Sequence, residues 1–134
     1  MRRNSGTLNS QLSRVFSELG HTDQVVVTDA GLPIPRHVER VDLALAAGIP
    51  GFLQVLDQTL AEIVVEGALA PAEIEQHSPE MLAAIRERLD REGVELILVP
   101  HVEFKKRSGD ARAAIRSGEF TPYANVILTC GVVY

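Results

Sequence analysis

The sequence predicts a single-domain α/β fold, in which helices pack against the faces of a β-sheet. Segments with apolar residues at helical spacing alternate along the chain with short β-branched runs, as in α/β proteins. The length of 134 residues suits one hydrophobic core and leaves little room for a second. A content of 46% apolar and 23% charged residues is typical of a globular protein. We therefore expect residues 1–134 to form one domain.

The first predicted elements are a helix and a strand joined by a short turn. Apolar residues recur at helical spacing from Leu8 to Leu19, with Asn9 or Ser10 as the N-cap and Gly20 just beyond the end. The β-branched run at 25–28 then predicts a buried strand.

Two segments follow the proline-containing loop at 31–35. Alternation of apolar and other residues at 41–45 favours a short strand, although its alanines leave a helix open. Apolar residues at helical spacing over 52–60, starting just after Pro50, predict the next helix.

The middle of the chain predicts a strand, a helix and a second strand. Residues 63–69 form the first strand, and Pro71 closes it. Ser78 is the predicted N-cap of a helix with Pro79 at its first position, and this helix continues to Gly93. Residues 94–99 then form a strand that Pro100 ends.

The last part predicts one or two short helices over 102–115, interrupted near Ser108 and Gly109. A turn at 116–119 leads to the final strand at 126–128.

Composition excludes several classes of function. A net charge of −5 argues against a nucleic-acid partner, since binding to phosphates needs a concentrated basic surface. The longest uncharged stretch, at 43–56, contains Gly and Pro and is too short to span a membrane. Cys130 is the single cysteine and lies in an apolar run, which favours a buried structural role and a reducing, cytoplasmic location.

Polar residues at strand boundaries are the candidates for chemistry, because α/β sheets bind ligands where their strands end. Taken singly, each has a structural explanation: His21 stands beyond a helix end, Asp29 suits an Asx-turn, and His101 can cap the segment after it. Tyr123 suits the edge of a core and Asn125 a turn. Their joint occurrence favours one convergent site.

Other patterns carry less weight. The four histidines have neither the i, i+4 pairing of a helical zinc site nor cysteine support, so we predict no metal site. His77 is predicted to be a solvated loop residue, and His37 fits no constellation. Lys105 stands one helical turn after His101. Two interpretations of it remain open: its ammonium group contacts a sugar hydroxyl, or it is simply solvated. Phosphate-binding glycine motifs are absent from the sequence.

Three motifs together resemble the D-ribose pyranase family of the ribose and fucose mutarotase superfamily. They are Gly-His-Thr-Asp at 20–23, Asp-Ala-Gly-Leu-Pro-Ile-Pro at 29–35, and Ile-Arg-Ser-Gly-Glu at 115–119 followed by Pro-Tyr-Ala-Asn at 122–125. The resemblance extends from about Gly6 to the C-terminus. It implies a three-layer α/β/α arrangement with a mixed sheet.

The resemblance also implies an activity and its residues. Family members interconvert the pyranose and furanose forms of D-ribose without a cofactor, and they form ring-shaped homo-oligomers, commonly decamers, with sites completed by a neighbour. By this analogy His21 is the proton donor, and the sugar-binding residues are Asp29, His101, Tyr123, Ala124 and Asn125. A fucose-type mutarotase and a sugar-binding module without turnover remain the alternatives.

Overall fold

The computed structural model describes residues 6–134 as a six-stranded sheet between layers of helices, and residues 1–5 of the predicted domain lie outside the described residues. The strands are β1 (Gln24–Thr28), β2 (Glu39–Asp42), β3 (Val65–Pro71), β4 (Leu96–Val99), β5 (Ala113–Arg116) and β6 (Val126–Cys130). The helices are α1 (Ser10–Glu18), α2 (Phe52–Glu62), α3 (Ile74–His77), α4 (Pro79–Arg91) and α5 (His101–Ser108).

The sheet is mixed, as expected. Its strand order is β2-β5-β1-β6-β3-β4, and β6 runs antiparallel to both of its neighbours, while the other pairs are parallel. Consequently β1, β3 and β4 end at the edge of the sheet where β6 begins, and we call this the carboxyl edge. The opposite edge, where β1 begins at Gln24 and β6 ends at Cys130, is the amino edge.

The core lies on both faces of the sheet. Val25 and Val27 of β1 belong to a large apolar cluster that includes buried residues of α1, α2 and α4. Val26 points to the other face, where a smaller cluster contains Phe104 of α5. This alternation along a strand covered on both faces explains the continuous apolar run, and it confirms the three-layer arrangement.

The N-terminal helix begins where a capping residue predicts it. Asn9 is the N-cap of α1, and its Oδ1 accepts a hydrogen bond from Leu12 N at 2.8 Å. Leu12 and Val15 are buried beneath the helix. Leu8 was expected on the same apolar face, but it is 81% exposed, because it precedes the N-cap and the helix begins only at Ser10.

The largest error of sequence-based prediction concerns β5, which was expected to be helical up to Ile115. The structure places Ala113–Arg116 between β1 and β2, parallel to both, with Ala113, Ala114 and Ile115 buried. An apolar run buried on both faces has no alternation to distinguish a strand, and alanine favours a helix locally. Tertiary pairing decides its conformation.

Several boundaries also differ. The open choice at 41–45 is settled as a strand, although β2 ends at Asp42 and the following residues form a loop. Ile63 is the C-cap of α2 instead of the first residue of β3. Val94 N donates to Leu89 O near the end of α4, so Val94 is not the first residue of β4. The short helix α3 was not predicted. Among residues 6–134, no helix is long and apolar enough to cross a membrane.

Candidate active site

Asp29 and Asn125 form a reciprocal contact at the carboxyl edge of the sheet. Asp29 follows the last residue of β1, and Asn125 precedes the first residue of β6, so antiparallel pairing makes them neighbours. Asp29 N donates to Asn125 Oδ1 at 2.8 Å, and Asn125 Nδ2 donates to Asp29 Oδ2 at 3.2 Å. Asn125 is 1% exposed, so this contact fixes the position of the carboxylate.

Asp29 also forms the Asx-turn that was its structural alternative. Its Oδ1 accepts hydrogen bonds from Gly31 N at 3.0 Å and Leu32 N at 2.8 Å. The residue nevertheless remains half-buried at a cavity of ≈ 400 Å³, which Arg116 and Phe120 also line. The turn therefore holds the carboxylate at a surface that a ligand can reach, and the two interpretations are compatible.

The Ile-Arg-Ser-Gly-Glu segment at 115–119 holds the Asp29 loop in place through hydrogen bonds. Ser117 Oγ donates to Thr28 O at 2.5 Å, and Glu119 O accepts a hydrogen bond from Ala30 N at 2.8 Å. The Glu119 carboxylate accepts hydrogen bonds from Phe52 N and from the Thr121 hydroxyl. Burial opposes its ionisation, but these hydrogen bonds outweigh burial and lower the pKa of Glu119. The motif thus ties the Asp29 loop to the start of α2.

Tyr123 is held between two imidazole rings. The ring centroid of His101 lies 5.1 Å from that of Tyr123 in an edge-on arrangement, and that of His77 lies 5.2 Å away. Tyr123 has a φ of 63°, a conformation that costs energy for a large side chain and that is concentrated at functional sites. Ser78 Oγ supports the turn by donating to Pro122 O at 2.8 Å.

His101 is the first residue of α5, and Pro100 alone separates it from the carboxyl end of β4. Its backbone N–H donates to Glu73 Oε1 at 3.0 Å. Its Nδ1 atom is buried and has no hydrogen-bond partner within the described part of the chain. Most buried polar atoms in folded proteins have a hydrogen-bond partner, so this nitrogen is an exception within the candidate site. Lys105 stands one turn later on the same helix and is exposed.

His21 lies at the amino edge. Gly20 to Asp23 form a tight turn, in which Asp23 Oδ2 accepts from Gly20 N at 2.8 Å and Asp23 N donates to Gly20 O at 3.1 Å. Thr22 has a φ of 70° and donates its N–H to Cys130 O at 2.9 Å. The turn therefore presents an exposed imidazole next to the C-terminal end of β6.

The expected convergence within one chain is only partial. The structure brings Asp29, His101, Tyr123 and Asn125 to the carboxyl edge, with the buried Ala124 between the last two. It does not bring His21 there, because the five residues of β1 separate the two edges by about 16 Å. His21 and Asp29 are both close to β1 in the sequence, but they flank opposite ends of this strand, and the sequence-based prediction of one site overlooked this separation.

Three supporting residues were missed from the sequence. His77 was expected in a solvated loop, but it ends α3 and packs against Tyr123, although it remains exposed. Ser78 occupies the predicted N-cap position of α4, yet its hydroxyl bonds Pro122 instead of the helix. Glu73 gave no local signal, because its contact with His101 spans 28 residues.

Cys130 is buried at the amino edge, as expected. Burial raises the pKa of its thiol to about 11, and the nearby carboxylates of Asp23 and Glu66 act in the same direction. We expect the folded protein to resist alkylation by iodoacetamide at pH 8, since only about one thiol in a thousand is then ionised. The stability linked to this thiol is complete below about pH 9 and is lost as the pH rises towards 11. Rapid labelling without unfolding, followed by mass spectrometry, would contradict this expectation.

Comparison with known proteins identifies close relatives over the whole chain. The chain is 53% identical over 132 residues to a D-ribose pyranase of Laribacter hongkongensis, which covers 98% of this chain and 99% of the relative. It is 47% identical over 133 residues to a D-ribose pyranase of an Enterobacter species, with 95% and 96% covered.

Solved structures show the same fold. The structure of Bacillus subtilis RbsD complexed with D-ribose superposes with a TM-score of 0.94 at 41% identity, over 99% of this chain and all of that one. A fucose mutarotase of Streptococcus pneumoniae in complex with L-fucose gives 0.78 at 24% identity, with 95% of both chains covered, which shows a shared fold. The model of the RbsD / FucU transport protein family matches residues 2–133. The chain therefore belongs to the RbsD / FucU family.

Proposed function

We propose that this protein is a D-ribose pyranase, an isomerase that interconverts the β-pyranose and β-furanose forms of D-ribose. Two findings together support the proposal: the similarity to named relatives and the set of side chains at the carboxyl edge. Relatives named D-ribose pyranase are about half identical to it over nearly its full length. The carboxyl edge holds a carboxylate, an amide, a phenol and an imidazole, groups that hydrogen-bond sugar hydroxyls.

The chemistry requires proton transfer but no covalent intermediate with the protein. A change of ring size breaks the bond between C1 and the ring oxygen, because a different hydroxyl must attack C1 afterwards. Opening delivers a proton to the ring oxygen and removes one from the anomeric hydroxyl, which produces the open-chain aldehyde. Closing reverses both transfers. Imidazoles ordinarily titrate near pH 6.5, so they suit both directions near neutrality.

We assign the roles accordingly. His21 is the proton donor, and Asp29, His101, Tyr123 and Asn125 bind the sugar through their side chains. Ala124 is fully buried, so its contribution is through the backbone that connects its two neighbours. The roles need no cofactor.

We further propose that the working protein is a homo-oligomer, a decamer built from rings, in which a neighbour completes each site. The positions of the candidate residues support this assembly, since His21 is at the amino edge and the sugar-binding residues are at the carboxyl edge. In a head-to-tail ring, opposite surfaces of adjacent subunits meet. His21 of one subunit can then face Asp29, Tyr123 and Asn125 of the next.

Mixing two inactive variants tests this arrangement. His21→Ala and Asn125→Ala subunits are unfolded, mixed in equal amounts and refolded together. We expect the mixture to recover roughly a quarter of the wild-type activity. The reason is that at about a quarter of randomly formed interfaces one subunit supplies wild-type His21 and its neighbour supplies wild-type Asn125. Each variant refolded alone is the control. Mixtures as inactive as their components, despite mixed assembly shown by native mass spectrometry, would place the whole site within one subunit.

Exchange NMR on D-ribose tests the activity itself. We expect the protein to accelerate exchange between pyranose and furanose resonances above the uncatalysed rate at the same pH. A protein that binds ribose but leaves exchange unchanged would be a sugar-binding module. The rival activity is fucose mutarotation, which L-fucose in place of ribose would reveal; relatives of that type are less similar to this chain.

Two further proposals follow from the sequence. We propose one domain for the whole chain, supported by a family match that covers residues 2–133. We propose a cytoplasmic location, supported by the single, unpaired Cys130, which suits a reducing compartment.

A further inference from the structure

His21 contacts a carboxylate that no sequence motif singled out. Its Nε2 lies 3.0 Å from Glu66 Oε2 and 3.2 Å from Glu66 Oε1, although the two residues are 45 positions apart. The two side chains are 53% and 45% exposed. Ion pairs as exposed as this one contribute little to stability, so stability alone does not account for the contact.

An irregularity in the sheet places Glu66 at this position. Val65 pairs with Cys130 and Gly67 with Thr129, so two steps along β3 correspond to one step along β6, and Glu66 is the extra residue. An extra residue of this kind is a β-bulge, which bends its strand and re-aims a side chain, and such bulges are common next to active sites. The side chain re-aimed here is the one that reaches His21.

Both partners are also fixed by the C-terminal end of β6. A Cβ atom on Gly131 would lie 3.4 Å from both Cβ and Oε2 of Glu66, so the glutamate packs directly against this glycine. On the other side, Thr22 N donates to Cys130 O and holds the turn that carries His21. Cys130 thus positions the turn that carries His21, and the next residue, Gly131, contacts Glu66. These two consecutive residues set the distance between the imidazole and the carboxylate.

We propose that Glu66 is the positioning residue for His21, which it holds through Nε2 so that Nδ1 exchanges the proton with the sugar. This inference rests on the proposed function. In ring opening, the imidazolium passes its Nδ1 proton to the ring oxygen as the bond from that oxygen to C1 breaks. The anomeric hydroxyl gives its proton to water and becomes the aldehyde, while Nε2–H remains donated to Glu66. Ring closure reverses each of these steps.

Two substitutions at position 66 distinguish a charged positioning role from a structural one. Glu66→Gln keeps the shape and loses the charge, whereas Glu66→Asp keeps the charge and shortens the side chain. We expect the exchange rate at saturating ribose to fall by about 10- to 100-fold in Glu66→Gln, and less in Glu66→Asp. The half-saturating ribose concentration and the melting temperature stay close to those of the wild type.

A matched control removes the same charge from another exposed ion pair. Glu87 pairs with Arg91 within α4, and Glu87→Gln leaves the exchange rate unchanged. All variants are measured as the assembled protein.

Each outcome is decisive. The inference is overturned if Glu66→Gln exchanges ribose at the wild-type rate, if it is more active than Glu66→Asp, or if either variant fails to fold or assemble. If instead His21→Ala retains accelerated exchange, the proposed role of His21 fails, which is a different result from the failure of Glu66 alone.

Discussion

Replacement of His21 by alanine is expected to reduce the accelerated ring-form exchange by about 10²- to 10⁴-fold, the usual contribution of a general acid or base. The imidazole is half exposed at the amino edge and belongs to neither core cluster, so folding and the melting temperature are expected to be preserved. Ribose affinity is expected to change little, because the sugar-binding groups lie at the carboxyl edge. The measurement is exchange NMR with the uncatalysed rate subtracted.

A matched substitution removes another exposed imidazole. His37 is exposed, contacts Gly109 O at 2.7 Å and is not one of the candidate residues, so His37→Ala should retain wild-type exchange. Full acceleration in a folded, assembled His21→Ala protein would remove His21 from the mechanism. Sugar positioning by the carboxyl edge would then have to explain the activity.

Replacement of Gly118 by alanine is expected to destabilise the protein by about 3 kcal/mol or more, at the upper end of the usual cost of overpacking. A Cβ atom at this position would lie 2.5 Å from Ala46 O, 2.6 Å from Ile49 O and 2.7 Å from Ile49 N. These are backbone atoms and cannot swing aside as a long side chain can. The hydrogen bonds of Gly118 N to Pro50 O and of Gly48 N to Gly118 O would be strained as well.

Denaturant unfolding measures this effect, and Gly31→Ala is its control. The nearest atom to a Cβ on Gly31 is Asp29 Oδ1 at 4.0 Å, so that substitution should change the free energy of unfolding by less than about 1 kcal/mol. Equal stability of the two variants would mean that the loop at 46–49 moves freely away from Gly118.

Local signals account for the elements and loops that the sequence predicted correctly. The Asn9 cap, the helical spacing of Leu12 and Val15, and Pro79 at the first position of α4 act within a few residues. The loop after β1 is equally local, because the Asx-turn of Asp29 involves its next neighbours. These features join residues that are only a few positions apart, so a pattern in the sequence can reveal them.

The sequence by itself therefore determined the α/β class, most helices and strands, and the residue types of the candidate site. Only the tertiary structure decided that β5 is a strand, because strand partners from distant segments override the helical preference of its alanines. It also placed His21 and Asp29 at opposite edges and brought Glu66 to His21 through a bulge. Strand direction and register arise from long-range pairing, so no local pattern encodes which side chains meet across the sheet.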